Sequence, residues 1–186
     1  CWAGLDPAHR MHKAGCLPSL TLDLDAARAR AAQALLAASK DGSLRNGPKD
    51  DTYDASLAQA AILGFPNREV CEATMQSIAR ALAVQAGGKE TGFYFRYLRT
   101  DDFGRPQSSF VICSFWVVQG LARLGRMAEA QQIMAQVLTG ANHLGLFSEH
   151  FVPETRTQLG NFPQAYSHVG LINAAFAVSP SWTTVL

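Results

Sequence analysis

No run of this sequence stays apolar for the ~18–20 residues that a bilayer-crossing helix needs, so no membrane partner is expected. No basic segment followed by an apolar one opens it, so no secretory signal is expected either. A charge bias is missing too. Sixteen Lys and Arg face fifteen Asp and Glu, for a formal net charge of +1. The basic residues are scattered, as in Arg28 and Arg30, Arg96 and Arg99, Arg123 and Arg126. No stripe of them could track phosphates, which argues against a nucleic-acid partner. The four cysteines, Cys1, Cys16, Cys71 and Cys113, make no CxxC pair and have no histidine at zinc spacing. Free, mostly buried thiols in a reducing compartment are expected, and with them a cytoplasmic location. His143, His150 and His168 show no mutual metal spacing, so they read as structural histidines.

What is present is enough for a core. The 186 residues are 48% apolar and 17% charged, which suits one domain of ordinary size and excludes a disordered chain. The pattern predicts helices joined by loops. Trp2 to Ala14 reads as a helix ending at Gly15, and Ala-rich Asp25 to Ser39 as another, stopped by Asp41-Gly42. Asp51-Thr52-Tyr53-Asp54 offers caps to a helix over Ala55–Leu63, and Asn67 caps one over Glu69–Val84. Ser109 to Leu124 lacks a polar face and is expected to be fully buried, with Trp116 in the core. Met127 to Leu138 and Pro163 to Val178 complete about seven helices. Phe93 to Leu98 is the one strand-like run. No fixed-period repeat supports a tetratricopeptide or ankyrin array.

Two long loops, 87–108 and 140–162, stand out, because loops of that length inside a domain are usually functional. The second holds Gly145-Leu146-Phe147-Ser148-Glu149-His150 and leads to Leu159-Gly160-Asn161-Phe162-Pro163-Gln164. A carboxylate, two carboxamides and aromatic faces are the groups a sugar-cleaving site uses. On residue types alone, a solvated loop Glu followed by a helix N-terminus is the more ordinary reading.

These residues resemble a known family. Gly145 to Glu149 followed by Leu159 to Ala175 is similar to the C-terminal half of glycoside hydrolase family 15, the family of glucoamylases, glucodextranases and some bacterial trehalases. Other pieces agree in order: Asp54 to Leu57, Phe95-Arg96-Tyr97 with Asp101 to Gly104, Cys113 to Trp116, Leu124 to Arg126, and Asn142 to Leu144. The similarity runs from Cys1-Trp2-Ala3 to Ser181-Trp182.

The resemblance implies an all-α chain, residues 1–186 forming the C-terminal half of an (α/α)6 catalytic domain, that is, a partial toroid of about seven helices. It implies inverting hydrolysis of α-glucosidic bonds in an α-glucoside or oligosaccharide, with no metal and no organic cofactor. Inversion needs an acid and a base on opposite faces of the sugar, with carboxyl groups roughly 6.5–9.5 Å apart. Glu149 stands where the family places its base. The family's acid, in a Trp and Glu motif, has no counterpart in this sequence. Arg96 is the expected sugar-binding cation, with a structural pair to Asp101 or Asp102 as the competing role. Tyr97, Asp102, Asn161 and Gln164 are further candidate substrate contacts, and Phe103 a rim aromatic. Gln107, Leu159 and His168 depart from the residues many relatives carry, namely Glu, Trp and Met. Such a chain is expected to be inactive alone, and to associate with a missing N-terminal half or with itself. The competing class is a catalytically inactive helical fragment or a carbohydrate- or protein-binding module.

Overall fold

The computed structural model describes residues 1–18, 21–102 and 104–181; Phe103 and Trp182, singled out above, lie outside them. The chain opens with α1 (Trp2–Lys13) packed on α2 (Leu24–Ala37). Asp23 caps α2 by accepting from Ala26 N at 3.0 Å. Of α2, Leu24 alone is fully buried, while Ala31, Ala32 and Leu35 pack half-buried against the core. Arg28 donates to Asp6 at 2.8 Å, and His9 Nδ1 lies 3.3 Å from Asp25 Oδ1. Asp41 and Gly42, both at positive φ, turn the chain between β1 (Ser39–Lys40) and β2 (Ser43–Leu44).

The predicted helix over 55–63 is two short pieces. A 3-10 turn over Ala55–Ala58 runs into α3 (Gln59–Ile62), and Asp54 caps the turn by accepting from Ser56 N at 2.8 Å. Asn67 caps α4 (Arg68–Leu82) as expected, accepting from Val70 N at 3.0 Å. The end of α4 differs from the expectation. Residues Ala83–Ala86 form β3, antiparallel to β4 (Lys89–Tyr94). Gly87 and Gly88 both adopt positive φ, the geometry of a tight hairpin turn, and the hairpin buries Val84, Phe93 and Tyr94. Tertiary burial here overrides the helix propensity of the Ala-Val-Gln-Ala run. The strand accordingly sits at 89–94, earlier than the predicted 93–98.

The second half is built around α5 (Val111–Arg123), which buries ten of its thirteen residues against α6 (Met127–Leu138), α7 (Ala165–Val178) and α3. Its predicted first turn is instead β5 (Ser109–Phe110). That strand pairs with β6 (His150–Val152), which pairs with β7 (Thr157–Leu159). The long loop 140–162 therefore holds two strands. Gly170 lets α7 approach α5. A Cβ there would lie 2.9 Å from Ile112 Cδ1 and 3.1 Å from Phe115 Cβ. On the opposite side of α7, Val169, Ile172 and Phe176 are 51–59% exposed, while Tyr166, at 47%, still meets the rings of Phe110 and Trp116. Among the described residues there are thus seven α-helices and three small antiparallel sheets, and no helix is long and apolar enough to cross a membrane. The thiols divide evenly rather than being mostly buried. Cys71 and Cys113 are buried, while Cys1 and Cys16 are exposed.

Candidate active site

The β5–β6–β7 sheet delivers Glu149 to a cleft of about 480 Å³. Its backbone is held from both sides. Val111 N donates to the Glu149 carbonyl at 3.0 Å, and Glu149 N donates to the Asn161 carbonyl at 2.9 Å. Its carboxylate is held as well. Oε2 accepts from Asn161 N at 3.2 Å and from Asn161 Nδ2 at 3.0 Å. The residue before Asn161 has to be glycine on two counts. Gly160 has φ +75°, and a Cβ there would lie 2.8 Å from Glu149 Oε2.

The loop that follows β4 forms the facing wall, in which Arg96 is half-buried. Arg96 Nε donates to Asp54 Oδ1 at 2.5 Å, and its guanidinium carbon lies 5.6 Å from the centre of the Trp116 ring. Burial pulls the Arg96 pKa down, but the hydrogen bond and charge of Asp54 push it up further, so the net shift is upward. The expected partners, Asp101 and Asp102, are thus replaced by a residue 42 positions away. The cause is backbone pairing: Ala55 N donates to the Arg96 carbonyl at 2.8 Å, which sets the two side chains together. Trp116 is core, at 8% exposure.

Tyr97 also lines the cleft. Its hydroxyl donates to Asp101 Oδ2 at 2.5 Å, and that bond raises its pKa. Asp101 is in the lining, whereas Asp102 is exposed and outside it. Asn161 meets the cleft through Glu149. Gln164 stands at the start of α7, donating its backbone N to the Phe147 carbonyl at 2.9 Å, and is not in the lining. The arrangement therefore joins Glu149, Arg96, Tyr97 and Asn161, and leaves Asp102 and Gln164 apart.

The lining also includes His150, expected to be only structural, and Phe110, which the sequence reading did not single out for the site. Their rings stack at 5.0 Å with an interplanar angle of 21°. The register Phe110↔His150 produces this contact across 40 residues of chain, and no local pattern announces it. His168 behaves as a structural histidine, with Nδ1 2.8 Å from the Gln164 carbonyl. A separate hollow of about 200 Å³ lies against α1, walled by Trp2, Leu57 and Phe65 and carrying no carboxylate. It has none of the chemistry of the Glu149 cleft.

The chain is similar to known proteins. The model of the glycosyl hydrolases family 15 matches residues 124–176. The chain is 37% identical over 144 residues to a trehalase of Mycolicibacterium smegmatis, a match covering 75% of this chain and 21% of the relative. It is 38% identical over 125 residues to a trehalase of Thermoplasma volcanium, covering 66% and 19%. The chain thus spans about a fifth of the length of these curated relatives. A solved glycosidase superposes with a TM-score of 0.66 at 20% identity, over 83% of this chain and 44% of that one. A single-substitution form of a glycosidase in complex with glucose superposes equally well, with a TM-score of 0.66. At that identity the likeness shows the fold, a partial α/α toroid.

Proposed function

The chain is a glycosyl hydrolase family 15-like partial domain, and from that premise we propose that it is the base-bearing part of a catalytic domain that hydrolyses α-glucosidic bonds with inversion. Residues 1–186 are the C-terminal half of that domain. The substrate is a glucoamylase- or trehalase-type α-glucoside or oligosaccharide. The observation that carries the reading is the Glu149 carboxylate, held by both Asn161 donors at the edge of the cleft that Arg96 lines.

In this mechanism the ionised Glu149 takes a proton from water as the water attacks the anomeric carbon. A carboxylic acid elsewhere in the domain protonates the leaving oxygen. The Arg96 guanidinium, fixed by Asp54, keeps donors on its free nitrogens for sugar hydroxyls. Tyr97 forms part of the wall near the substrate, and Asn161 keeps Glu149 in register. Asp102 and Gln164 stay candidate contacts for parts of a substrate extending beyond the cleft.

The acid is not supplied by this chain in our reading. Asp101, the other carboxylate of the lining, already accepts from the Tyr97 hydroxyl. The same observation supports the second reading, in which the chain by itself is an inactive helical fragment or binding module. General acid–base help is worth ~10²–10⁴-fold. In the full-length protein that carries this chain, Glu149→Gln keeps the shape and removes the base. Turnover of α-glucosides should fall ~10²-fold or more with little change in KM. Wild-type turnover in that variant removes the assignment. The 186-residue chain alone should release no glucose, and release by it would sink the partial-domain mechanism.

A further inference from the structure

We propose that His150 is a substrate-binding residue whose Nε2 accepts a hydrogen bond from a sugar hydroxyl in the Glu149 cleft. The proposal rests on the glycosidase reading above and adds a contact to it.

The ring is held in one orientation. Its face stacks on Phe110 at 5.0 Å. Its Nδ1 lies 3.1 Å from the Ser109 carbonyl. Ser108 Oγ lies 3.3 Å from the same nitrogen and can accept or donate, whereas a carbonyl oxygen only accepts, so the tautomer that suits both contacts has the proton on Nδ1. In that tautomer the ring presents a lone pair at Nε2. The Ser109 carbonyl cannot swing away, because Ser109 pairs with Phe151 across the sheet and its hydroxyl donates to the Phe151 carbonyl at 2.6 Å.

Nε2 has no hydrogen-bond partner among the described residues, and the ring lies in the cleft wall. Most other polar groups there are already engaged. Arg96 donates to Asp54, Tyr97 to Asp101, and Gln107 Nε2 to the Arg105 carbonyl. Glu149 Oε2 is taken by Asn161. His150 is therefore a fixed ring with Nε2 open to a donor, one residue from the proposed base. A group matched to it must bring a hydrogen-bond donor. A polyol brings hydroxyls, and the ring–sheet geometry selects one of them. A histidine kept only for packing would need the stack and nothing at Nε2.

The test uses the full-length protein with maltose, trehalose and their monodeoxy analogues. His150→Phe keeps an aromatic face for Phe110 and removes Nε2. His150→Gln restores an acceptor. We expect His150→Phe to lower kcat/KM about tenfold on the preferred sugar, mainly through KM, since a neutral hydrogen bond is of that order. The loss should vanish for the one deoxy analogue that lacks the recognised hydroxyl, and His150→Gln should recover part of the activity. An equal loss across every analogue marks a purely structural role and overturns the proposal, as does no loss at all. Glu149→Gln is run alongside. If it abolishes turnover while His150→Phe is silent, this inference alone fails. If it leaves turnover intact, or if the wild type cleaves no glucoside, the glycosidase reading fails and this inference with it.

Discussion

α5 and α7 are the two most apolar helices of the chain, and they end in opposite surroundings. α5 is enclosed on all sides, with Phe115, Val117 and Val118 at or below 1% exposure. α7 buries only the small residues Ser167, Gly170 and Ala174, and turns Val169, Ile172 and Phe176 outward. This inverts the usual amphipathic helix, in which the large apolar side chains face the core. An apolar helix is thus evidence of a buried environment in the finished assembly, and the neighbour can lie outside the chain in hand. In our reading the rest of the catalytic domain, or a second copy of the chain, covers the α7 stripe.

Four measurements would break or sharpen that contrast. The largest effect is expected inside α5. Phe115→Ala removes a ring that is fully buried and edge-on to Phe147 at 5.5 Å, and should cost about 3–5 kcal/mol in urea unfolding. A cost under 1 kcal/mol would mean that α5 is not the centre of the core. Next comes the seam between the two helices. Gly170→Ala places a Cβ 3.1 Å from Phe115 Cβ, where neither backbone can easily give. Overpacking of about 1–3 kcal/mol should outweigh the ~1 kcal/mol that alanine gains over glycine in a helix. A stabilised variant would show that the helices do not approach this closely.

Ile172→Asn, on the outward face of α7, should change the stability of the chain by less than about 0.5 kcal/mol while reducing its self-association in light scattering. A loss above 1 kcal/mol in a monomer would place Ile172 in a contact of this chain's own. The last difference appears only in alkali. Burial pushes the Tyr94 phenol, beside α5, up to about 12. Its folded pKa exceeds the unfolded value of about 10, so its contribution is complete below pH 10 and is lost as pH rises towards 12. Tyr94→Phe should flatten the fall in melting temperature across that window, and an unchanged fall would contradict a buried phenol.

The helices were legible in the sequence where local chemistry decides them. Met127–Leu138 falls on its predicted bounds, and Asn67 and Asp54 cap where their side chains allow. The strands were not legible, because Ala83–Ala86 and Ser109–Phe110 owe their conformation to partners elsewhere in the chain. The site divides in the same way. Glu149 could be found from its motif, and Arg96 from the aromatic run around it. The bond from Arg96 to Asp54 and the stack of His150 on Phe110 bridge 42 and 40 positions, and only the folded chain supplies them.

The hydrogen bond from Val111 N to the Glu149 carbonyl has a dynamic consequence. Val111 begins the most enclosed helix and is itself 1% exposed. Its amide can exchange with solvent only when that helix start opens, so it should be among the slowest-exchanging protons of the protein. Glu149 shares the bond and therefore shares the opening. A residue at the edge of a cleft, in a segment that reads as a loop, is thereby tied through its backbone to the start of the most enclosed helix.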